Sequence, residues 1–258
     1  MKSTQETFAS MMDAFSYRYD LRPVFDDFLT MSLCAATQIP GAGKSHYEDL
    51  YLETVAKYAK DDLRHLFPKM FGRLSIEMED RYKDTQGNDV LGEYYELNFC
   101  RKNSGQFFTP MHVCHFMARS ICGDSKHLEE PKRVLDPTCG SGRMLLAGAH
   151  CMGKEHEFYG IDLDHTCVKM TALNLFLNGI FHSEVMCADA LSPNDFRISY
   201  VISLLPFGIF QVKEKERSRL WRMYKNTFPE KQPAPKPEIV LPSKEGKQTG
   251  QGSQLQLF

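Results

Sequence analysis

A glycine-rich turn is the part of this sequence whose residue types indicate chemistry most directly. It is the stretch VLDPTCGSGRM, from Val134 to Met144. Val134 and Leu135 are typical of the end of a buried strand, and a helical pattern begins at Met144. Glycines allow the backbone to bend sharply and allow a ligand to approach with no Cβ in the way. The turn therefore predicts a ligand site at the N-terminus of a helix, where backbone amides are free.

The residues around the turn favour a nucleoside over a dinucleotide. The dinucleotide fingerprint requires a third glycine three residues after the second, and this chain has Leu145 there. Asp162 ends the next apolar run, 20 positions after Gly142. At that spacing a carboxylate binds ribose hydroxyls in doubly wound folds. Asp162 could also be a solvated loop acid, but its strand position and its spacing together favour a ribose contact.

Apolar runs alternate with helical patterns on both sides of the turn. Strands are predicted at 133–137, 157–163, 184–188 and 199–206, with helices at 142–152 and 165–179. This alternation predicts an α/β fold with a parallel sheet and right-handed crossovers. Ligands of such sheets bind at the carboxyl ends of the strands. We therefore expect one crevice formed by Asp136, Asp162, Asp189 and Pro206.

Several motifs carry a resemblance to a known family. They are DVLGEYYE (89–96), GQFFTP (105–110), LDPTCGSG (135–142), YGIDLD (159–164), ADAL (188–191) and LLPFG (204–208). In this order they resemble the N6-adenine DNA methyltransferases, most closely the methylation subunits of type I restriction-modification systems. The resemblance covers roughly residues 85 to 210. The motifs are specific in combination rather than singly.

The resemblance implies an enzyme that transfers a methyl group from S-adenosyl-L-methionine to adenine N6 in DNA. It implies a Rossmann-like S-adenosylmethionine-binding sheet, truncated after the last motif and preceded by a helical N-terminal domain. Thr109 is implied to lie near the cofactor carboxylate, Asp189 near its adenine ring, and Phe107 or Phe108 beside it. One of the two phenylalanines is expected to belong to the core. The expected cofactor-binding residues are Phe107, Thr109, Asp136, Pro137, Thr138, Gly140, Gly142, Asp162 and Asp189.

The family's catalytic motif, Asn (or Asp, Ser)-Pro-Pro-Tyr/Phe, is altered in this chain to Leu204-Leu205-Pro206-Phe207. An adenine amino group is a poor nucleophile because its lone pair is delocalised into the ring, and the base must be flipped out of the duplex. In the family the first side chain and a backbone carbonyl accept hydrogen bonds from that amino group, and the aromatic ring stacks on the base. By resemblance Phe207 keeps the stacking role and the Leu205 carbonyl keeps one acceptor. Leu204 accepts nothing.

The altered motif leaves two functions of different classes open. Losing one positioned polar group typically costs on the order of 10² to 10³ in rate. Ser203 is one residue away, but side chains alternate along a strand, so it faces the other side. The first function is a DNA methyltransferase. The second is a catalytically silent relative that binds cofactor or DNA as an accessory protein. Both predict cofactor binding through Asp136, Gly140, Gly142 and Asp162.

Composition and charge divide the chain into parts. With 258 residues and 42% hydrophobic side chains, it can bury one core and a smaller appended domain. Residues 211–258 contain ten Lys and Arg against five Asp and Glu, although the whole chain has a net charge of −2. We predict a helical N-terminal domain (1–103), an S-adenosylmethionine-binding domain (104–210) and a third part (211–258) made of a helix and a basic, disordered tail. The helical pattern itself extends from Ile209 to Pro229.

Cysteine usage and hydropathy predict a cytoplasmic protein. No signal peptide is recognisable, and no apolar run approaches the length that spans a membrane. The eight cysteines include no CxxC pair and no His/Cys cluster with zinc spacing. Reduced, buried thiols are therefore expected, and no metal site is predicted.

Two protein partners are predicted in addition to DNA. Family members carry a region that recognises the target sequence, and none is recognisable here, so either a specificity subunit supplies that recognition or sequence specificity is absent. The final residues, QLQLF, resemble the peptide by which bacterial replication and repair proteins bind the sliding clamp, through Gln254, Leu255, Leu257 and Phe258. The amide anchors hydrogen bonds, while the leucine and phenylalanine fill an apolar pocket. A chance apolar end on a disordered tail is an equal alternative.

Overall fold

The first hundred residues are helical where the structure describes them. The computed structural model describes residues 6–37, 47–60, 62–85, 89–100, 106–122, 130–192 and 194–227. The helices are α1 (Phe8–Asp13), α2 (Leu21–Ala35), α3 (Glu48–Ala56), α4 (Leu66–Thr85) and α5 (Val90–Phe99). Asp20 caps α2, since its side chain accepts a hydrogen bond from the Arg22 amide at 3.1 Å. Phe25 in α2 is fully buried and stacks on Tyr94 in α5 at 5.7 Å. The predicted helical start of the chain is confirmed.

The next part of the chain alternates helices and strands. The elements are α6 (Met111–Cys122), β1 (Arg133–Asp136), α7 (Arg143–Met152), β2 (Glu157–Asp162), α8 (His165–Leu177) and β3 (Ser183–Cys187). The three strands are parallel, with Asp136 beside Gly160 and Asp162 beside Cys187. This β-α-β-α-β unit confirms the predicted Rossmann-like α/β fold for these elements. It brings the carboxyl ends of β1, β2 and β3 together at the same end of the sheet.

The fourth strand runs against the predicted direction. β4 (Ile198–Leu204) pairs antiparallel with β3, with Ile198 opposite Cys187 and Ile202 opposite Ser183. The prediction that four strand ends form one crevice is therefore wrong. The carboxyl end of β4 lies beside the amino ends of the parallel strands, not beside their carboxyl ends. A parallel crossover needs about a dozen residues or more, usually with a helix. Only residues 188–197 connect β3 to β4, so the chain can only turn back.

A fifth strand follows directly where the sequence predicts a helix. β5 (Phe207–Val212) pairs with β4 in a tight hairpin in which Leu204 faces Phe207. Its outer side is fastened to the end of α2: the Ile209 amide donates to the Ala36 carbonyl at 3.4 Å, and the Thr37 hydroxyl donates to the Ile209 carbonyl at 2.7 Å. These contacts with distant residues stabilise a strand. The helical prediction from Ile209 is wrong for β5 and correct for α9 (Arg219–Thr227).

One hydrophobic cluster joins the helical region to one face of the sheet. It extends from Phe8 in α1 to Ile209 in β5 and includes residues of α7 and α8. Lys169 of α8 also contacts Asp26 of α2 at 2.9 Å. On the other face, α9 packs Trp221 and its neighbours against β2 and β3. Helices and sheet thus share a core, and the predicted domain boundaries stay predictions.

Two further sequence predictions concern membranes and the tail. None of the described helices is long and apolar enough to cross a membrane. Residues 228–258, which contain the basic tail and the QLQLF sequence, lie outside the described residues.

Candidate functional site

The glycine turn between β1 and α7 forms the centre of the site. The Cys139 amide donates to the Ile161 carbonyl at 2.9 Å, and the Gly142 amide donates to the Cys139 carbonyl at 2.7 Å. Gly140 and Gly142 have φ angles of 54° and 91°, in the left-handed region that residues with a Cβ rarely adopt. The two glycines therefore allow the chain to pass from the end of β1 to the start of α7 with little bulk.

Asp162, at the end of β2, holds this turn in place. Its Oδ2 accepts a hydrogen bond from the Gly140 amide at 2.8 Å, and its Oδ1 accepts one from the Asp164 amide at 2.9 Å. Each carboxylate oxygen has a further lone pair, so Asp162 can still accept hydrogen bonds from a ligand. Burial raises the pKa of Asp162 above its usual value, although these backbone hydrogen bonds oppose the rise.

Two more carboxylates lie beside Asp162 and differ from each other in pKa. Asp136 accepts a hydrogen bond from the backbone amide of Thr138 at 3.1 Å, and burial raises the pKa of Asp136. Asp164 accepts one hydrogen bond from Nε2 of the Gln106 side chain at 3.0 Å and another from the Tyr95 hydroxyl at 3.2 Å. Burial alone would raise the pKa of Asp164, but hydrogen bonds from Gln106, a backbone amide and Tyr95 lower it overall. Asp164 thus stays ionised and fastens the segment around Gln106 to the start of α8.

A cavity of about 660 Å³ lies over the turn. This volume falls within the range of roughly 300–1,000 Å³ that is typical of small-molecule sites. Its walls are residues 106–109, residues 138–141, Arg143 and Met144 at the start of α7, and the strand-end residues Asp136 and 162–164. The arrangement offers hydrogen-bond acceptors on one wall and apolar or cationic side chains on the others.

Most of the predicted cofactor residues belong to this cavity. Those that line it are Phe107, Thr109, Asp136, Thr138, Gly140 and Asp162. Phe107 is 76% exposed, whereas Phe108 is 7% exposed and stacks on Tyr95 at 5.8 Å. The expectation that one of the two phenylalanines belongs to the core is confirmed, and that residue is Phe108.

Pro137, Gly142 and Asp189 are not among the residues that line the cavity. Gly142 is packed against α8, where a Cβ would lie 3.0 Å from Thr171 Cγ2. Asp189 stabilises its own loop, because its carboxylate accepts the Leu191 amide at 2.8 Å. The strand-end position of Asp189 made it a candidate, but its side chain is used locally. Its predicted contact with an adenine ring stays a prediction.

The altered catalytic motif lies at the other edge of the sheet. The Phe207 ring packs against Phe176 at 5.1 Å and Phe181 at 5.5 Å, near the C-terminal end of α8. Asp164 caps the opposite end of the same helix, beside the cavity. A helix of 13 residues is about 20 Å long. The fold therefore separates the predicted catalytic residues Leu204, Leu205, Pro206 and Phe207 from the cavity, and their catalytic role stays a prediction.

A buried polar network under the turn was missed by sequence reasoning. Asp89, 2% exposed, accepts hydrogen bonds from the Gly92 amide, Arg143 Nε and Asn174 Nδ2, each at 2.7 Å, and from the Ser141 hydroxyl. A buried carboxylate needs such partners to offset its desolvation. The network ties α5 to the turn and to α8. The sequence feature that points to this network is Asp89, the first residue of the DVLGEYYE motif. The motif alone did not indicate what Asp89 does.

Together these features define a Rossmann-like α/β protein with a ligand cavity at the carboxyl ends of its parallel strands. Within this class the chain belongs to the N-6 DNA methylase family, whose model matches residues 86–241. The family resemblance predicted from the motifs is confirmed.

Individual relatives are similar to this chain over part of their length. The type I restriction enzyme MpnII methylase subunit of Mycoplasma pneumoniae is 29% identical over 125 residues, covering 44% of this chain and 22% of that protein. The type I restriction enzyme MjaVII methylase subunit of Methanocaldococcus jannaschii is 29% identical over 159 residues, covering 54% of this chain and 26% of that protein. The chain thus spans about a quarter of the length of these curated relatives.

A solved structure is also similar to part of the chain. It is the crystal structure of a modification subunit of a putative type I restriction enzyme from Vibrio vulnificus YJ016. It aligns with a TM-score of 0.38 and 21% identity, covering 62% of this chain and 35% of that one.

Proposed function

We propose that this chain binds S-adenosylmethionine in the cavity over the glycine turn, as the cofactor-binding part of an N6-adenine DNA methyltransferase. One observation carries the proposal. Asp162 lines the cavity and fastens the Gly140 amide at 2.8 Å, yet both its oxygens keep lone pairs for the ribose hydroxyls of a nucleoside. The same carboxylate thus shapes the turn and binds the ligand.

The residues of the cavity fit this cofactor. Asp136 and Asp162 accept hydrogen bonds from its hydroxyls, and the turn at Gly140 presents no side chain to it. Phe107, exposed at the cavity, flanks it with an aromatic ring. When bound, the cofactor supplies an electrophilic methyl group on a positively charged sulfur.

The methyl acceptor in this proposal is an adenine amino group in DNA. Family membership supports that substrate, and the relatives are named as methylase subunits of type I restriction enzymes. By the same analogy, a specificity subunit selects the DNA sequence. An adenine must leave the base stack to react, so the partner and this chain together have to hold a flipped base near the cofactor.

Titration calorimetry with S-adenosylhomocysteine tests the proposal. Wild type is expected to bind, and Asp162→Asn to bind at least about tenfold more weakly, because a charged acceptor is lost. Asp49→Asn is the matched control. It changes the same residue type at an exposed position of α3, outside the cavity lining, and is expected to keep wild-type affinity. Failure of the wild type to bind, or an equal loss in both variants, contradicts the proposal.

A second candidate is a catalytically silent relative that binds the cofactor without transferring its methyl group. Its specific support is the altered motif, in which Leu204 offers no acceptor and lies at the sheet edge opposite the cavity. Both candidates predict cofactor binding. Transfer of labelled methyl groups to mixed-sequence DNA by the wild-type chain separates them, because any incorporation excludes the silent relative.

A further inference from the structure

The cavity has an uneven distribution of charge. Its strand-end wall carries three acidic side chains, Asp136, Asp162 and Asp164. Arg143, at the start of α7, is the single cation among the described residues that line it. A ligand with both hydroxyls and an anionic group has one favourable orientation in such a cavity. Its hydroxyls face the aspartates and its anion faces the arginine.

The guanidinium of Arg143 is held in one position. Its Nε donates to Asp89 at 2.7 Å, one terminal nitrogen lies 3.1 Å from Glu96 Oε2, and the other donates to the Thr109 carbonyl at 3.4 Å. It also lies over the Phe108 ring, 5.4 Å from the centroid. The side chain is 8% exposed. A guanidinium has five N–H donors, so these contacts leave two for a ligand.

The two acidic partners of Arg143 differ in accessibility. The Asp89 side chain is 1% exposed and is shared with the network under the turn, whereas the Glu96 side chain is 40% exposed. Asp89 therefore fixes the arginine, and Glu96 is the counter-ion that an incoming anion can replace. A planar guanidinium is the side chain best suited to pair with a carboxylate through two parallel hydrogen bonds.

We infer that Arg143 binds the carboxylate at the methionine end of the cofactor and so selects adenosyl ligands that carry a complete amino acid. The inference rests on the proposed function and adds a specificity-determining residue to it. The aspartates repel that carboxylate, so within the described cavity lining only Arg143 can neutralise it. Arg143 thereby orients the amino-acid end away from the strand tips.

A pair of ligands tests the inference with the wild-type chain. S-adenosylhomocysteine and its decarboxylated analogue share the nucleoside and the amino group and differ only in the carboxylate. Titration calorimetry is expected to give at least about tenfold weaker binding for the decarboxylated analogue, as for the loss of a charge-assisted hydrogen bond. Equal affinities overturn the inference and leave the proposed function standing. Failure of both ligands to bind overturns both.

A variant of Glu96 gives a second test. The ligand preference that it measures would not change if Arg143 had only a structural role. In Glu96→Gln the competing charge is removed, so the preference for the carboxylate ligand is expected to increase several-fold. Glu93→Gln is the matched control on the same helix, because Glu93 pairs with Arg81 rather than Arg143. The preference is expected to stay at its wild-type value in that control. An unchanged preference in Glu96→Gln overturns the inference.

Removal of the arginine completes the test. Arg143→Met leaves the buried Asp89 without a counter-charge, which is strongly destabilising. The double variant Asp89→Asn/Arg143→Met removes both charges. In it, the two ligands are expected to bind with similar affinity. A preserved preference for the carboxylate in the folded double variant, checked by circular dichroism, overturns the inference.

Discussion

Three aspartates at the ends of β1 and β2 show how environment gives one side chain different roles. Asp136 and Asp162 are partly desolvated and have raised pKa values, whereas Asp164 receives enough hydrogen bonds to lower its pKa. Asp164 consequently stays ionised to lower pH than the other two aspartates, and it holds the Gln106 segment against α8. Asp136 and Asp162 keep acceptor capacity on the cavity side, which is what a hydroxyl-bearing ligand requires.

This difference predicts a pH dependence of ligand binding. An ionised carboxylate accepts hydrogen bonds from ligand hydroxyls more strongly than the protonated acid does, and burial raises the pKa of Asp136 and Asp162 above the usual 3.8. Affinity for S-adenosylhomocysteine is therefore expected to be full near neutrality. As the pH falls through these raised values it should decrease, by up to about tenfold per pH unit for each group.

Titrations from about pH 8 down to about pH 4, near the ordinary pKa of an aspartate, measure this dependence. The double variant Asp136→Asn/Asp162→Asn, which cannot titrate at these positions, is expected to bind weakly at every pH with little slope. A wild-type affinity that stays constant over the range contradicts an active role of the two carboxylates in binding.

Leu204 allows a prediction that depends on its position as much as on its chemistry. It is 47% exposed and lies in the β4–β5 hairpin, away from the cavity. An asparagine there restores the acceptor that the family motif has, but it does not bring that acceptor to the cofactor site. Leu204→Asn is therefore expected to leave labelled-methyl transfer to mixed-sequence DNA at the wild-type level. A gain of activity would place the hairpin beside the cofactor and contradict the arrangement described above.

Among the secondary-structure elements, α8 sets the distance between the glycine turn and the altered catalytic motif. Its N-terminal end is capped by Asp164 beside the cavity, and its C-terminal end carries Phe176 against Phe207. The short connection from β3 to β4 turns the chain back instead of crossing over. In consequence, the motif that follows β4 is separated from the cavity by the length of the helix.

The β4–β5 hairpin is fastened to the helical region at Gly208. This glycine has a φ angle of 144°, and a Cβ on it would lie 2.6 Å from the Ala36 carbonyl oxygen. Gly208→Ala is expected to lower the free energy of unfolding by about 1–3 kcal/mol, because the backbone is strained and the contact with α2 is lost. Guanidinium unfolding measures this, and ligand affinity should be unchanged.

Gly72 provides the control for the hairpin variant. It lies within α4, and a Cβ there meets nothing within 4 Å. Gly72→Ala is expected to raise the free energy of unfolding by up to about 1 kcal/mol, since alanine favours the helix. If Gly208→Ala proves as stable as the wild type, the close contact between hairpin and α2 is contradicted.

The molecule as a whole combines a helical region, a parallel β-α-β-α-β unit and an antiparallel hairpin around one core. The order of the strands is β1-β2-β3-β4-β5, so β1 lies at an edge among the described strands, and Leu135 on it is 43% exposed. In doubly wound sheets the chain instead returns to add a strand beside the first one. The half-buried ion pair between Asp26 of α2 and Lys169 of α8 shows that helices and sheet are positioned by each other.

The C-terminal sequence QLQLF supports a prediction about the full chain. It lies outside the described residues, and its role as a clamp-binding peptide stays a prediction. The chain is expected to bind a bacterial sliding clamp in calorimetry, and Phe258→Ala is expected to weaken binding by about thirtyfold or more, as for loss of an aromatic anchor. Gln251→Ala, just outside the motif, is the control. Absence of binding by the wild type, or equal binding by Phe258→Ala, contradicts the prediction.

Local patterns were sufficient to identify the glycine turn, the strand-end aspartates and the family. Glycine at positions 140 and 142, an acid at the end of β2, and alternating apolar runs each have a direct physical reason in the neighbouring sequence. For this reason Asp136, Gly140 and Asp162 were correctly expected to lie together. Phe107 and Thr109 followed from the resemblance to the family, and they too line the cavity.

The direction of β4 follows from the short connection of residues 188–197, a local spacing that is already present in the sequence. By contrast, the strand at Ile209 and the network around Asp89 were decided by contacts between distant parts of the chain. β5 forms because it can bond to the end of α2. Asp89 reaches Arg143 and Asn174 only after α5, α7 and α8 have packed together. Such pairings depend on long-range packing, which periodicity and spacing along a sequence do not encode.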